Sequence, residues 1–181
     1  MIDLEKKIAK RTLKTLTKKS LISLSINDVI KKNQKNNLNI KSKTDLLKNI
    51  NRYVDDLLII EMKELERSST KDMLFEVLMA RFDILQKNRK SIINIYEGFK
   101  KSPKTFINLL PSYLESMIVT AELSKFNVNG LRGSIRLKGL MVVYFSTFLQ
   151  WLDDKTSSLE KTMMSLDKNL DQAEKIGKLL S

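Results

Sequence analysis

Apolar residues recur at intervals of three and four along almost the whole of this 181-residue chain, and strand-like alternation is not found, which predicts an all-α protein. Start signals divide the pattern into helices. Ser25, Ser42 and Ser157 each stand three residues before a carboxylate (Asp28, Asp45 and Glu160), as in reciprocal N-terminal caps, and Ser102-Pro103 places proline at a first helical position. The helices expected are 3–18, 26 to about 34, 43 to about 66, 70–87, 88–101, 103–126, 131–153 and 158–180, with an irregular Asn-rich stretch at 33–41 and a loop at 127–130. Pro111 is expected to kink the helix over 103–126.

The last two helices carry the most pattern. Leu159, Met163, Leu166, Leu170 and Ala173 follow a 4-3-4-3 spacing, a 3.5-residue repeat that holds one seam toward a partner helix. The helix before it carries Tyr144, Phe148 and Trp151 in a run apolar on more than one face, which needs cover on two sides. Two arrangements fit: a four-helix interface between two copies of the chain, making a homodimer, or the core of a single-chain bundle.

Charge changes the picture at the front. Residues 1–52 hold 14 Lys/Arg against four Asp/Glu, a net +10 out of the chain's +12. Lys7, Arg11, Lys14 and Lys18 form one stripe of the first helix, opposite Leu4, Ile8, Leu13 and Leu16. Such a stripe is either a solvated face or a surface for phosphates, and two short helical elements after it, 25–34 and 36–41, have the layout of a helix-turn-helix. Lys31, Lys32, Lys35, Lys41 and Lys43 are candidate phosphate contacts, and Asn36, Asn37 and Asn39 candidate partners for adenine edges or phosphate, or else turn formers. Duplex DNA is the expected partner, with peripheral contact to an anionic membrane as the other polyanionic possibility.

With no Cys and no His, the chain lacks a disulfide framework, thiolate chemistry, the commonest general base and any His/Cys metal site, so neither metal, cofactor nor catalysis is expected. The acidic pairs Asp55-Asp56 and Asp153-Asp154 are read as solvated surface. The front of the chain lacks the apolar run of a signal peptide and no stretch is long enough to cross a bilayer, which predicts a cytoplasmic protein. Met73, Leu74, Leu78, Phe82, Tyr96, Phe106, Leu110, Tyr113, Met117 and Phe145 either line a cavity for a small apolar or lipid-like ligand or form ordinary core.

The segments 23–30 (SLSINDVI) and 41–47 (KSKTDLL) resemble the DNA-binding region of TetR/AcrR-family transcriptional regulators, and 72–85, 130–133, 151–154 and 159–163 are similar, in order, to alphaproteobacterial members of that family. The resemblance implies a helix-turn-helix head over 1–47 on a long connecting helix, and a ligand-binding, dimerising helical body over 48–181. The region between Asn33-Gln34 and Ser42-Lys43 is shorter than the family's recognition helix and has neither its glycine nor its aromatic residues. TetR-like lipid-binding accessory proteins of ubiquinone biosynthesis share the architecture, and through them the resemblance also admits a protein that does not read DNA.

Overall fold

A computed structural model describes residues 1–31, 38–63 and 68–179. The described residues form eight α-helices and no strand: α1 (Asp3–Leu16), α2 (Lys43–Glu61), α3 (Thr70–Lys87), α4 (Arg89–Lys101), α5 (Pro103–Ile107), α6 (Leu110–Leu123), α7 (Gly130–Asp153) and α8 (Glu160–Leu179). No helix among them is long and apolar enough to cross a membrane. The chain separates into two compact units, neither a continuous stretch: Met1–Leu57 with Ile84–Tyr113, and Leu58–Asp83 with Leu114–Ser181.

In the first unit, α1 buries Ile8, Ala9, Thr12, Leu13 and Leu16 on one side and packs against α4. Each of the larger apolar side chains contributes about 1.5–3 kcal/mol by leaving water. Two polar side chains of α4 fix the register. Ser91 Oγ donates to the Leu13 carbonyl (2.7 Å), and Asn94 Nδ2 donates to the carbonyls of Leu16 and Lys19 (2.8 Å each). Asn94 Oδ1 also accepts from the Leu21 amide (3.2 Å), so one amide closes the frayed end of α1 and starts the chain that follows. Gly98 makes room there: a Cβ would lie 2.5 Å from Leu21 Cδ2.

Of the helix expected from 26 to about 34, the described residues 26–31 form only a 3-10 turn, Ile26–Asp28, while 32–34 lie outside the described residues; 38–41 is not helical. The cap itself forms: Ser25 Oγ accepts from the Asn27 amide (3.1 Å) and Asp28 Oδ2 from the Ser25 amide (2.8 Å). Arg11 Nη1 donates to the Val29 carbonyl at 2.6 Å, which ties the residue after the turn to α1. Val29 and Ile30 are buried, so the turn is held by its own apolar residues.

The expected helix over 103–126 is two helices. Pro111 cannot donate to the carbonyl of Ile107 and its ring crowds that position, so α5 ends at Ile107 and α6 restarts with Pro111 in its first turn. At the other end of α6, Lys125 takes a left-handed conformation (φ 53°) and the Phe126 amide returns to the Ala121 carbonyl (2.8 Å), the closing bond of a Schellman motif.

In the second unit α7 and α8 pack along their lengths. Their connection is organised by Asp154, a buried carboxylate and not the solvated residue expected. Its Oδ1 accepts from the Thr156 amide (3.0 Å) and hydroxyl (2.6 Å), and its Oδ2 from the Thr162 amide (2.8 Å) and hydroxyl (2.9 Å). Burial raises the pKa of this carboxyl, and the bonds from both threonines outweigh burial and hold it well below the carboxylate range. The Glu160 amide is capped by Thr156 Oγ1 (3.1 Å), not by Ser157, because Leu159 adopts a left-handed conformation (φ 54°) that buries its side chain. Asp55, likewise expected on the surface, is buried, and Asp56 is half-buried against Lys6 (3.1 Å).

Candidate nucleic-acid interface

The charge asymmetry is sharper between the two compact units than along the sequence. The first unit holds 20 Lys/Arg against 7 Asp/Glu, a net +13, and the second 13 against 14, a net −1. The gain comes from α4 and α5, whose Lys90, Lys100, Lys101 and Lys104 are exposed in the unit that contains α1. No local signal in the sequence attaches those residues to the basic front. The attachment is made by the α1 and α4 packing, across more than seventy positions.

On α1 the exposed stripe is Lys7, Lys10, Lys14 and Lys18, at spacings of 3, 4 and 4. Arg11 lies within the same arc but is half-buried and committed to the Val29 carbonyl, so it shapes the head and does not present a free guanidinium. Lys7 is ion-paired with Asp3 (3.3 Å), and Lys10 lies over the Tyr53 ring (5.9 Å). Lys14 and Lys18 make no ion pair among the described residues. Nearby, Lys19 pairs with Asp28 (2.7 Å), and that bond, with the Ser25 amide, pulls the Asp28 carboxyl below its ordinary value.

Beyond the 3-10 turn, Lys31, Asn39, Lys41 and Lys43 are exposed. Lys43 donates to the Ile22 carbonyl, fastening the start of α2 to the loop after α1. Lys32, Lys35, Asn36 and Asn37 lie outside the described residues. Asn39 borders a cavity of about 210 Å³ with Glu5, Ile40, Asp45, Lys48, Asn49 and Arg52. Asp45 is committed to capping α2: it accepts from the Lys41 amide (3.0 Å), the Ser42 amide (2.9 Å) and the Ser42 hydroxyl (2.8 Å). Burial raises its pKa, but the Ser42 and Lys41 bonds and the charge of Lys48 bring it below the ordinary value. Among the described residues no cluster of three or more acidic side chains could hold a metal ion.

The ligand-lining set falls in two places. Leu74, Leu78, Phe82, Met117 and Phe145 belong to the second unit, and Tyr96, Phe106, Leu110 and Tyr113 to the first. Leu74, Leu78, Phe82 and Met117 are buried, as is Met73. Phe82 stacks on Tyr144 (5.7 Å between ring centroids), Tyr144 meets Phe145 (5.4 Å), and Phe148 stacks on Trp151 (5.4 Å). Residues assigned from the sequence to a pocket and to a dimer interface therefore share one aromatic core inside a single unit. Phe99, Phe106 and Tyr113 form a smaller cluster in the first.

The dimer set follows the same logic. Tyr144, Trp151, Leu159, Leu166 and Leu170 are buried within the chain, Phe148 is half-buried, and Met163 alone of the seven is exposed. The 3.5-residue seam is the packing of α8 within its own unit, joined by Asn169 Nδ2 to Thr147 Oγ1 (3.1 Å) and by Lys71 of α3, which bonds Asp171 and pairs with Asp167 (3.4 Å).

Compared with known proteins, the chain matches no family model, and no curated protein matches it by sequence.

Proposed function

We propose that this chain is a TetR-like regulator, not an enzyme, whose +13 unit binds duplex DNA chiefly through the phosphate backbone. The observation that carries the reading is the separation of charge: nearly all the excess lysine and arginine is collected in one compact unit, with α1 offering an exposed cationic stripe that ends in two lysines without carboxylate partners among the described residues. Backbone holding is favoured over base reading because 29–31 and 38–41, on either side of the shortened segment, are not helical. In this reading the protein is a homodimer, and a small apolar ligand of its helical body alters the DNA affinity.

The test is a salt titration of binding to a duplex of arbitrary sequence. The observed affinity falls log-linearly with salt, and Lys14→Gln and Lys18→Gln each reduce the slope by about 0.9 without changing sequence preference. Absence of binding at low salt refutes the reading.

A second reading, a TetR-fold lipid-binding accessory protein resting on an anionic membrane, is favoured by Ile22 (54% exposed) and Ile107 (59% exposed), apolar side chains presented by the same cationic unit. Vesicles discriminate: retention on anionic but not neutral vesicles, lost on Ile22→Ser, supports the membrane reading, and equal indifference to both removes it.

A further inference from the structure

Asn129 is the only asparagine in the sequence that is followed by glycine. Both residues are exposed, in the turn between α6 and α7. Elsewhere the asparagine amides are committed: the side chains of Asn49, Asn51, Asn88, Asn94 and Asn169 each donate to a carbonyl or a hydroxyl. The Asn129 side chain makes no hydrogen bond among the described residues, and so omits the cap that its place before α7 would allow.

The Gly130 amide is equally unengaged. As the first amide of α7 it has no acceptor within the helix, and it donates to no atom of the described residues. Gly130 takes a left-handed φ of 71°, and beyond its chain neighbours and the backbone of α7 no atom lies within 4 Å of where a Cβ would stand. The approach to its nitrogen is therefore open. The residues just before are held: Asn127 Oδ1 accepts from the Asn129 amide (2.9 Å), and the Val128 carbonyl occupies the place of a Gly133 Cβ. Freedom is concentrated at the Asn129 Cα–C bond. Rotation there, from an extended ψ of 149°, swings the Gly130 nitrogen toward Asn129 Cγ, and the φ of glycine, which takes either sign, absorbs the turn.

We propose that Asn129 is a site of spontaneous covalent modification, at which the folded protein converts the asparagine to aspartate and isoaspartate through a cyclic imide closed by Gly130. The Gly130 nitrogen attacks Asn129 Cγ and gives up its proton. The bond from Cγ to Nδ2 breaks, and the side-chain nitrogen leaves as ammonia. Water then opens the five-membered ring at one of its two carbonyls: addition at Cγ restores the main chain and leaves aspartate, and addition at the main-chain carbonyl leaves isoaspartate, with the chain running through Cγ. Nothing is oxidised or reduced. Either product places a new carboxylate just ahead of the first turn of α7, beside the exposed Arg132 and Arg136. The second also lengthens the main chain by one carbon. The site lies in the unit of net charge −1 and is independent of the DNA reading.

The test ages the full folded chain in warm, mildly alkaline buffer and follows the tryptic peptide 126–132, cut after Lys125 and Arg132, by mass spectrometry. The peptide is expected to gain one mass unit, with fragmentation placing the change at Asn129, and enzymatic methylation specific for isoaspartate labels the aged chain. Asn127 is an internal control in the same peptide: its Oδ1 is engaged and the β-branched Val128 follows it, so it keeps its amide. Asn129→Gln, a change at an exposed position whose ring would have six members, abolishes the conversion and the label. Gly130→Ala, which puts a methyl group on the attacking residue, slows the conversion severalfold. The same chain unfolded in urea gives the reference rate. Conversion of Asn127 as fast as Asn129, or an Asn129 that converts in urea but keeps its amide in the folded chain, overturns the proposal.

Discussion

Asp154 offers the sharpest quantitative test of the second unit. Replacing it by Asn keeps the shape but removes the charge, and it turns an NH2 group toward donors that now face a carboxylate oxygen. Four bonds are at stake, from the amides and hydroxyls of Thr156 and Thr162. The Thr156 pair is partly open to water and is partly replaced. Thr162 is buried, and its backbone amide has no way to rotate, so about one buried donor is left unsatisfied and the charge assistance of the rest is lost. Together these cost about 2–4 kcal/mol. For a chain of this size that is about 5–15 °C of melting temperature. The single tryptophan, Trp151, is buried three residues away, so its fluorescence during urea denaturation reports on this unit. Asp153→Asn, at an exposed neighbour, is the control and stays within about 0.5 kcal/mol.

The pH dependence has a definite sign. The folded carboxyl lies below its ordinary value of 3.8, so its contribution is complete above that value and is lost as pH falls through the folded pKa. The gap between the native chain and Asp154→Asn is therefore constant near neutrality and closes on acidification from about pH 5. A gap under about 1 kcal/mol at pH 7, or one that widens in acid, refutes the argument.

Four further substitutions follow from the geometry described above. Asn94→Ala orphans the carbonyls of Leu16 and Lys19 and the Leu21 amide, and urea denaturation is expected to show a loss of about 2–3 kcal/mol. Gly133→Ala places a Cβ 2.0 Å from the Val128 carbonyl carbon, forcing the backbone before α7 to move, and a melt is expected to fall by several degrees; Gly139→Ala meets open space and raises stability by up to about 1 kcal/mol through helix propensity. Arg11→Met frees the Val29 carbonyl and costs about 1 kcal/mol, while the salt slope of DNA binding falls by less than in Lys14→Gln, which separates the structural arginine from the exposed lysines.

The helices were legible because caps and prolines act locally. Ser25 with Asp28 and Ser42 with Asp45 form their reciprocal bonds as the spacing indicates, and Ser69, which was not singled out from the sequence, caps α3 by accepting from the Asp72 amide (3.1 Å). What the local pattern could not carry was the choice between competing partners. Arg11 ties the Val29 carbonyl, just after the turn at Ile26–Asp28, to α1, and Thr156, one residue earlier, takes the amide that Ser157 was expected to cap. The heptad spacing of α8 is likewise degenerate: a seam facing an internal helix and one facing another molecule have the same period, and only burial of Leu166 and Leu170 separates them. The cationic unit was half visible. Its first half is written consecutively in residues 1–52, and its second half, on α4 and α5, joins it only through folding.

One consequence of the charge layout concerns control. The chain has no histidine, the side chain that ordinarily titrates between pH 5 and 8. Its perturbed groups also move away from neutrality: Asp28, Asp45, Asp154 and Asp171 downward, Lys71 and Lys100 upward. Moderate acidification therefore leaves the electric field of the lysine-rich unit nearly constant. Under the proposed DNA reading, control of binding is left to the ligand of the helical body, to ionic strength, to rival polyanions or to chemical masking of lysine amines.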